Sequence, residues 1–144
     1  IMIHETGGAE VMKWEPIDVG RPGTGEVRMK QTVLGFNMID TYRRKGLYPC
    51  EVPFITGSEA AGVLETVSND VTDFRPGDRV VYAIADIGAY AEERIINADK
   101  LVKIPDDIHV SQVRYMGGCV SSGIDDALLH CLQLVQTSRH QHHF

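Results

Sequence analysis

The sequence is poor in the residues that cross-link a protein or anchor it in a membrane. Its 144 residues include three cysteines, Cys50, Cys119 and Cys131, and no C-x-x-C pair. An odd, widely spaced set of cysteines argues against a disulfide framework or a closed zinc site and fits a reducing compartment. No apolar run approaches the length of a membrane span, and no signal-peptide pattern opens the chain. We therefore expect a cytoplasmic protein without a membrane partner.

Positive charge is also scarce. Fourteen basic side chains stand against twenty acidic ones, which leaves a formal net charge of −6. Nucleic-acid binding normally needs a basic stripe, and none is visible, so we expect no nucleic-acid partner. The length fits one domain that is large enough to bury a core without cross-links.

What the sequence does contain, up to about residue 104, is a series of short strands. Their residues alternate between apolar and polar, or are continuously small and apolar, as in Glu26–Leu34 and Ala60–Val67. The other predicted strands are Ile1–Ile3, Val11–Ile17, Arg79–Ile84, Ala89–Ile96 and Leu101–Ile104. Turns rich in glycine and proline divide them, which favours a closed or nearly closed β-barrel. Because the chain opens in the middle of a predicted strand, we expect its N-terminus to be trimmed.

The last part of the chain, residues 109–144, has a different pattern and is predicted to be a separate helical tail after a domain of residues 1–108. Its apolar residues recur at helical spacing and form one face, made of Ile124, Ala127, Leu128, Cys131, Leu132 and Val135. An exposed apolar face of this kind predicts a homo-oligomer. The His-rich end, at His140, His142 and His143, is interpreted as a solvated tail, with weak metal binding as the alternative.

The candidate binding groups concentrate between Phe36 and Gly62. An amide at Asn37, acids at Asp40 and Glu59, and phenols at Tyr42 and Tyr48 lie on this segment, which glycines and prolines punctuate. So many polar and aromatic side chains on a segment that we predict to be mostly loop are typical of a binding site held by a rigid scaffold. The alternative is a surface loop whose tyrosines only cap the core.

Six short motifs keep a distinctive order along the chain. They are Gly-Gly-Ala-Glu-Val at 7–11, Asn-Met-Ile-Asp-Thr-Tyr at 37–42, Gly-Leu-Tyr-Pro at 46–49, Gly-Ser-Glu-Ala-Ala-Gly at 57–62, Gly-Asp-Arg-Val-Val-Tyr-Ala at 77–83 and Gly-Ala-Tyr-Ala at 88–91. Together they resemble the N-terminal part of the zeta-crystallin-like NADPH:quinone oxidoreductases, a branch of the medium-chain dehydrogenase/reductases. The resemblance covers about residues 1–108.

The resemblance implies a mainly β fold: a GroES-like, partly open β-barrel followed by a short C-terminal helical segment. It also implies a barrel that covers the substrate side of a nicotinamide, with NADPH held mainly by a second, Rossmann-type domain. No G-x-G-x-x-G turn is present in the sequence, so that domain is absent from this chain. The family threonine near the nicotinamide corresponds to Val120. We expect the chain to be inactive without a nucleotide-binding domain.

By the same resemblance, Asn37 matches the asparagine beside the nicotinamide and is the predicted cofactor-binding residue. Tyr42 and Tyr48 match tyrosines that border the substrate cleft and are the predicted catalytic residues, since a phenol can donate to a quinone oxygen as charge builds there. The alternative is that both rings only pack the barrel mouth. We expect Asp40, Glu59 and Arg79 to be structural, with a carboxylate beside a guanidinium in the barrel floor.

Zinc-dependent relatives in this superfamily carry a cysteine near position 37 and a histidine where this chain has Ser58. Serine is a poor zinc ligand, and the nearest cysteine in sequence is Cys50, so the prediction is metal-free reduction of a quinone. Two alternatives stay open: an enal or enone reductase of the same superfamily, and a non-catalytic GroES-like module that binds or oligomerises.

Overall fold

The structure, a computed structural model, describes residues 1–83 and 85–108. Eight strands and one α-helix follow one another in this part of the chain. They are β1 (Met2–Ile3), β2 (Met12–Lys13), β3 (Glu26–Leu34), α1 (Met38–Arg44), β4 (Phe54–Ile55), β5 (Ala60–Val67), β6 (Arg79–Tyr82), β7 (Glu93–Asn97) and β8 (Val102–Lys103). Short 3-10 helices cover Ala9–Val11 and Ala98–Lys100.

The larger sheet has five antiparallel strands in the order β7-β3-β5-β6-β8. Its longest strand, β3, alternates as its sequence predicts, and Val27 and Met29 are completely buried. Leu64 and Val80 from neighbouring strands pack in the same core. Burial of this apolar face holds the sheet in one register, because a shift of one residue would turn it to solvent.

Close backbone approach between β3 and β5 depends on a glycine. Gly62 lies opposite Gln31, and a Cβ atom at Gly62 would come within 2.0 Å of the Lys30 carbonyl oxygen. The register shifts directly after this pair, where Thr32 is an extra residue on β3, and again between Arg28 and Met29, where Glu65 is an extra residue on β5.

The smaller sheet has three strands in the order β2-β1-β4 and buries Ile3, Val11 and Phe54. The predicted strand Val11–Ile17 is wrong beyond Lys13, since only Met12 and Lys13 pair with β1. Trp14 is 78% exposed, and Pro16 has no N–H to contribute to a sheet. Alternation in this segment therefore does not reflect a buried face.

A hydrogen-bond network, here called the sheet network, crosses the large sheet. It consists of Gln31, Tyr82 and Arg94: the Tyr82 hydroxyl donates to Gln31 Oε1, and Arg94 Nη1 donates to the hydroxyl at 3.1 Å. Gln31 Nε2 donates to two backbone carbonyls, of Ala89 and Ala91. The Arg94 guanidinium also lies 5.0 Å from the centre of the Tyr82 ring. Every polar group of this fully buried tyrosine is satisfied.

The mainly β architecture with open sheets confirms the predicted GroES-like fold class. The prediction of strand structure for Ala89–Ile96 is wrong in its first half, because β7 begins at Glu93 and residues 90–92 form a bend. Helix α1 and strand β4 were not predicted. The predicted tail helices, the apolar face Ile124–Val135 and Val120 lie outside the described residues. Within those residues, no helix is long and apolar enough to cross a membrane.

Candidate active site

Helix α1 begins with a reciprocal pair of hydrogen bonds that fixes Asn37. The backbone N–H of Asn37 donates to Asp40 Oδ2 at 3.0 Å, and the N–H of Asp40 donates back to the Asn37 carbonyl at 3.0 Å. An Asn at the N-cap and an acid three residues later satisfy free donors of the first turn, and the carboxylate also meets the positive end of the helix dipole. The start of the helix is therefore fixed in position.

The end of α1 is equally well defined. Gly46 has φ +78, its N–H donates to the Arg43 carbonyl at 3.0 Å, and the N–H of Leu47 donates to the Tyr42 carbonyl at 2.9 Å. This pair of bonds is the Schellman arrangement, which favours glycine because its central residue is left-handed. The chain reverses at this point and brings Tyr48 back towards Tyr42.

The two predicted catalytic tyrosines consequently lie together. The ring centres of Tyr42 and Tyr48 are 6.0 Å apart, with an angle of 30° between the ring planes. Tyr42 is 36% exposed and Tyr48 is 52% exposed, so both phenols reach solvent. Seven helical residues span only about 10 Å, which keeps Asn37 and the two rings on one short element.

Below the start of the helix lies a second hydrogen-bond network, here called the site network, of Asn37, Asp40 and Tyr90. Asp40 is only 3% exposed, and its Oδ2 atom accepts the Tyr90 hydroxyl at 3.2 Å as well as the Asn37 N–H. Its other oxygen, Oδ1, is buried with no partner among the described residues. Burial raises the pKa of Tyr90, and the neighbouring Asp40 carboxylate raises it further.

Glu59 adds a second acid beside this network. Its side chain occupies the space above Gly35, where a Cβ atom would be 1.7 Å from Glu59 Oε1. Burial raises the pKa of the Glu59 carboxyl; a hydrogen bond from the Asn37 side chain opposes this effect, and the Asp40 charge adds to it. Asn37 thus lies between two acids, and its amide can both donate and accept.

A groove of about 830 Å³ opens on another side of this region. Trp14, Leu34, Phe36 and Tyr90 are among the residues that line it, whereas Tyr42 and Tyr48 are not. The two phenols are therefore not part of the groove, whereas Tyr90 belongs both to its lining and to the site network.

The structure corrects one prediction about charged residues. Arg79 is not beside Asp40 or Glu59; its guanidinium donates to the carbonyls of Pro105 and Ile108, at 2.6 Å and 2.9 Å. It joins β6 to the segment after β8, where the carboxylate near it, at 3.8 Å, is that of the exposed Asp106 and not an acid of the site. In the described part of the chain, no three His, Cys, Asp or Glu side chains converge as metal ligands. The absence of zinc stays a prediction that rests on Ser58.

Sequence reasoning did not assign a role to Tyr90. Its motif, Gly-Ala-Tyr-Ala at 88–91, was recognised, but the contact with Asp40 joins residues that are 50 positions apart. The available signal was the Asn37-x-x-Asp40 spacing, which is that of a capped helix start and identifies Asp40 as a group with hydrogen bonds to make.

Comparison with known proteins gives a match to the family described as the Alcohol dehydrogenase GroES-like domain, over residues 23–106. A 2-haloacrylate reductase from a Burkholderia species is 41% identical over 133 residues, which are 90% of this chain and 40% of that protein. A quinone oxidoreductase from Pseudomonas aeruginosa is 45% identical over 107 residues, 74% of this chain and 33% of that protein.

Solved structures agree with these matches. A quinone oxidoreductase of Pseudomonas syringae pv. Tomato DC3000 has a TM-score of 0.76 at 37% identity, and covers 80% of this chain and 36% of its own. The Escherichia coli quinone oxidoreductase complexed with NADPH has a TM-score of 0.70 at 36% identity, and covers 83% of this chain and 36% of its own. The chain therefore spans well under half the length of the relatives it matches.

Proposed function

The chain belongs to the alcohol dehydrogenase GroES-like domain family, and on that premise we propose that it is the substrate-side domain of an NADPH-dependent quinone oxidoreductase. The observation that carries the proposal is helix α1, which has an amide at its capped start and two paired phenols at its end. Relatives named as quinone oxidoreductases, at 45% and 42% identity, support the choice of quinones as substrates.

The residues at the start of α1 fit a nicotinamide. Its carboxamide needs both a hydrogen-bond donor and an acceptor, and the Asn37 amide offers both. Asn37 is half-buried, its backbone N–H is held by Asp40, and its side chain hydrogen-bonds to Glu59, so the amide is oriented before a ligand arrives. When bound, NADPH supplies the reducing equivalents, and we assign its phosphates to a nucleotide-binding domain outside this chain.

The domain's other proposed roles are to orient the quinone and to donate a hydrogen bond to it. A quinone is already a strong electrophile, so the protein need only hold it in place and stabilise negative charge on its oxygen. Tyr48 and Tyr42 are exposed phenols 6.0 Å apart, close enough for both to border one quinone ring. In the proposed reaction the Tyr48 hydroxyl donates to the quinone oxygen as charge develops there.

Replacing Tyr48 tests this proposal. Tyr48→Phe removes the hydroxyl and keeps the ring, and we expect the turnover number for quinones to fall by about 100-fold, as for a donor directed at developing charge. An ordinary hydrogen bond would account for only about fivefold. Turnover is measured as NADPH oxidation by the full polypeptide in which the chain occurs, with several quinones. Unchanged turnover would mean that the phenol only packs.

Asn37→Ala is the matched comparison for Tyr48→Phe. It leaves both phenols in place and removes the amide that we assign to the nicotinamide. We expect it to slow every quinone by the same factor, since it acts on the shared cofactor, whereas the Tyr48→Phe effect varies with the quinone. If the losses of turnover in the two variants depended on the quinone in the same way, Asn37 and Tyr48 would not have the separate roles that we propose.

A second candidate function is reduction of a carbon–carbon double bond conjugated to a carboxyl or carbonyl group. The match to a 2-haloacrylate reductase supports it, since that match extends over 90% of this chain. The same phenols would then donate to the carboxyl or carbonyl oxygen of the substrate. Parallel assays with a benzoquinone and with 2-chloroacrylate decide between the two, because the true substrate class should show the larger kcat/KM.

A further inference from the structure

We propose that Tyr90 is a positioning residue that acts through Asp40 to hold Asn37 in place for the cofactor. This inference rests on the proposed function, because the orientation of Asn37 matters only if its amide binds a ligand. Tyr90 lies outside α1 and contacts Asn37 only through the Asp40 carboxylate.

The first step of the argument is that one oxygen atom makes both contacts. Asp40 Oδ2 accepts the Asn37 N–H at 3.0 Å and the Tyr90 hydroxyl at 3.2 Å. An aspartate side chain has only two rotatable bonds, and this one is almost completely buried. A displacement of the carboxylate therefore displaces the N–H that it holds, and with it the residue that carries the amide.

The second step is that Tyr90 is itself fixed by the scaffold. Its backbone N–H donates to the Thr56 carbonyl at 2.9 Å. Its ring packs against Gly57, where a Cβ atom would be 2.5 Å from Tyr90 Cδ1. Gly57 has φ +88, so this turn needs glycine for its conformation and for the space. The turn therefore holds the backbone of Tyr90 and contacts its ring.

The third step is that the carboxylate has few other contacts. Asp40 Oδ1 is buried with no hydrogen-bond partner in the described part of the chain. Loss of the Tyr90 hydroxyl would leave a buried carboxylate whose one remaining donor in the described part of the chain is the Asn37 N–H. An under-solvated carboxylate tends to shift towards water or another donor. We expect the start of α1 to shift with it.

The test is a double-mutant cycle in the full polypeptide. Tyr90→Phe keeps the ring against Gly57 and removes the hydroxyl, and it should lower kcat/KM by about fivefold for every quinone alike. If Tyr90 acts through Asn37, the same change made in an Asn37→Ala background should leave kcat/KM unchanged within about twofold. Additive losses in the double variant would overturn the inference.

The control is Tyr82→Phe, which removes a hydroxyl of the sheet network. Its effect on kcat/KM should combine additively with that of Asn37→Ala, because its partners are Gln31 and Arg94. A cycle that is non-additive for both tyrosines would show general loosening of the fold and would also count against a specific role for Tyr90.

A measurement without substrate separates this inference from the proposed function. Hydrogen exchange of the Asn37 amide should become about fivefold faster in Tyr90→Phe, while exchange of the Leu64 amide, which donates to the Asp78 carbonyl in the sheet, stays unchanged. If the wild-type protein reduces no quinone with NADPH, the proposed function fails, and exchange still decides whether Tyr90 holds Asn37. Unchanged exchange at Asn37 overturns the inference.

Discussion

Two tyrosine hydroxyls are held in opposite surroundings in this molecule. In the sheet network, the Tyr82 hydroxyl donates to Gln31, and its oxygen accepts a hydrogen bond from the positively charged Arg94 guanidinium. In the site network, Tyr90 faces the Asp40 carboxylate. Burial and Glu59 raise the pKa of both phenols, but Arg94 opposes this effect at Tyr82, whereas Asp40 adds to it at Tyr90. The first arrangement stabilises the fold, and the second places negative charge beneath a half-buried amide.

Buried polar side-chain atoms without a hydrogen-bond partner are also unevenly distributed between the two regions. Four buried side-chain atoms lack a hydrogen-bond partner among residues 1–83 and 85–108: Asp40 Oδ1, Arg43 Nη1, Arg44 Nε and Thr56 Oγ1. All four lie on α1 or beside β4, and none lies on a strand of the five-stranded sheet. Buried polar groups without partners cost stability, so natural proteins tolerate them mainly where function requires them. In the described residues, such groups therefore cluster around α1 and not in the five-stranded sheet.

The largest effect that tests the sheet half of this comparison is expected at Gly62. Gly62→Ala places a Cβ atom 2.0 Å from the Lys30 carbonyl, so the free energy of unfolding should fall by about 3 kcal/mol, the upper end of the usual cost of overpacking. Urea denaturation measures it. The matched control is Gly77→Ala, which has open space around it and only an unfavourable φ of +92, for a cost of about 1–2 kcal/mol. If the two variants cost the same, β3 and β5 are not tightly packed here.

A smaller loss of stability is expected at Tyr82. Tyr82→Phe leaves the buried Gln31 Oε1 atom without its donor, and it should lower the free energy of unfolding by about 2 kcal/mol. Thermal or urea denaturation gives this value. A loss close to zero would show that the sheet network contributes little, and the contrast with the site network would then disappear.

The smallest effects concern pH, and they should have opposite signs in the two regions. A hydrogen bond from Lys103 lowers the pKa of Asp78, so this carboxylate stabilises the fold above the pKa of an unfolded Asp, and that stability is lost as pH falls through the lowered pKa. Burial raises the pKa of Glu59, so stability decreases as pH rises from the pKa of an unfolded Glu through the raised one.

Two isosteric variants check these signs. At neutral pH, Asp78→Asn should destabilise the protein and Glu59→Gln should stabilise it, each by less than about 1 kcal/mol because these sites are in part exposed to solvent. Urea denaturation between about pH 3 and pH 7 covers both titrations. If Glu59→Gln lowered the free energy of unfolding instead, the Glu59 charge would have a favourable partner, and its burial would not destabilise the fold.

The sequence predicts the sheet better than the site. Alternation over Glu26–Leu34 and the small apolar run Ala60–Val67 predict β3 and β5 at their observed bounds, since burial of one face determines both the pattern and the pairing. Helix α1 has only seven residues and buries just one of them, Asp40, so no apolar periodicity marks it. Its signals are at its ends, in the Asn37–Asp40 spacing and in Gly46.

The site residues also fall into two groups: those that sequence motifs predict and those that only long-range contacts reveal. Asn37, Tyr42 and Tyr48 are predicted because two neighbouring family motifs, at 37–42 and 46–49, carry them, and the structure places them on one helix and at its ends. Their roles stay predictions. Tyr90 and the new partners of Arg79 depend on contacts between distant parts of the chain, which neither spacing nor composition reveals.

The central claim is that hydroxyl groups serve stability in the sheet and catalysis at α1. The most direct measurement compares Tyr48→Phe with Tyr82→Phe, each assayed for NADPH-dependent quinone turnover under conditions where both variants are folded. The account predicts about 100-fold slower turnover for Tyr48→Phe with unchanged stability, and near-normal turnover for Tyr82→Phe with lowered stability. Normal turnover in Tyr48→Phe, or an equal loss of turnover in both variants, would contradict it.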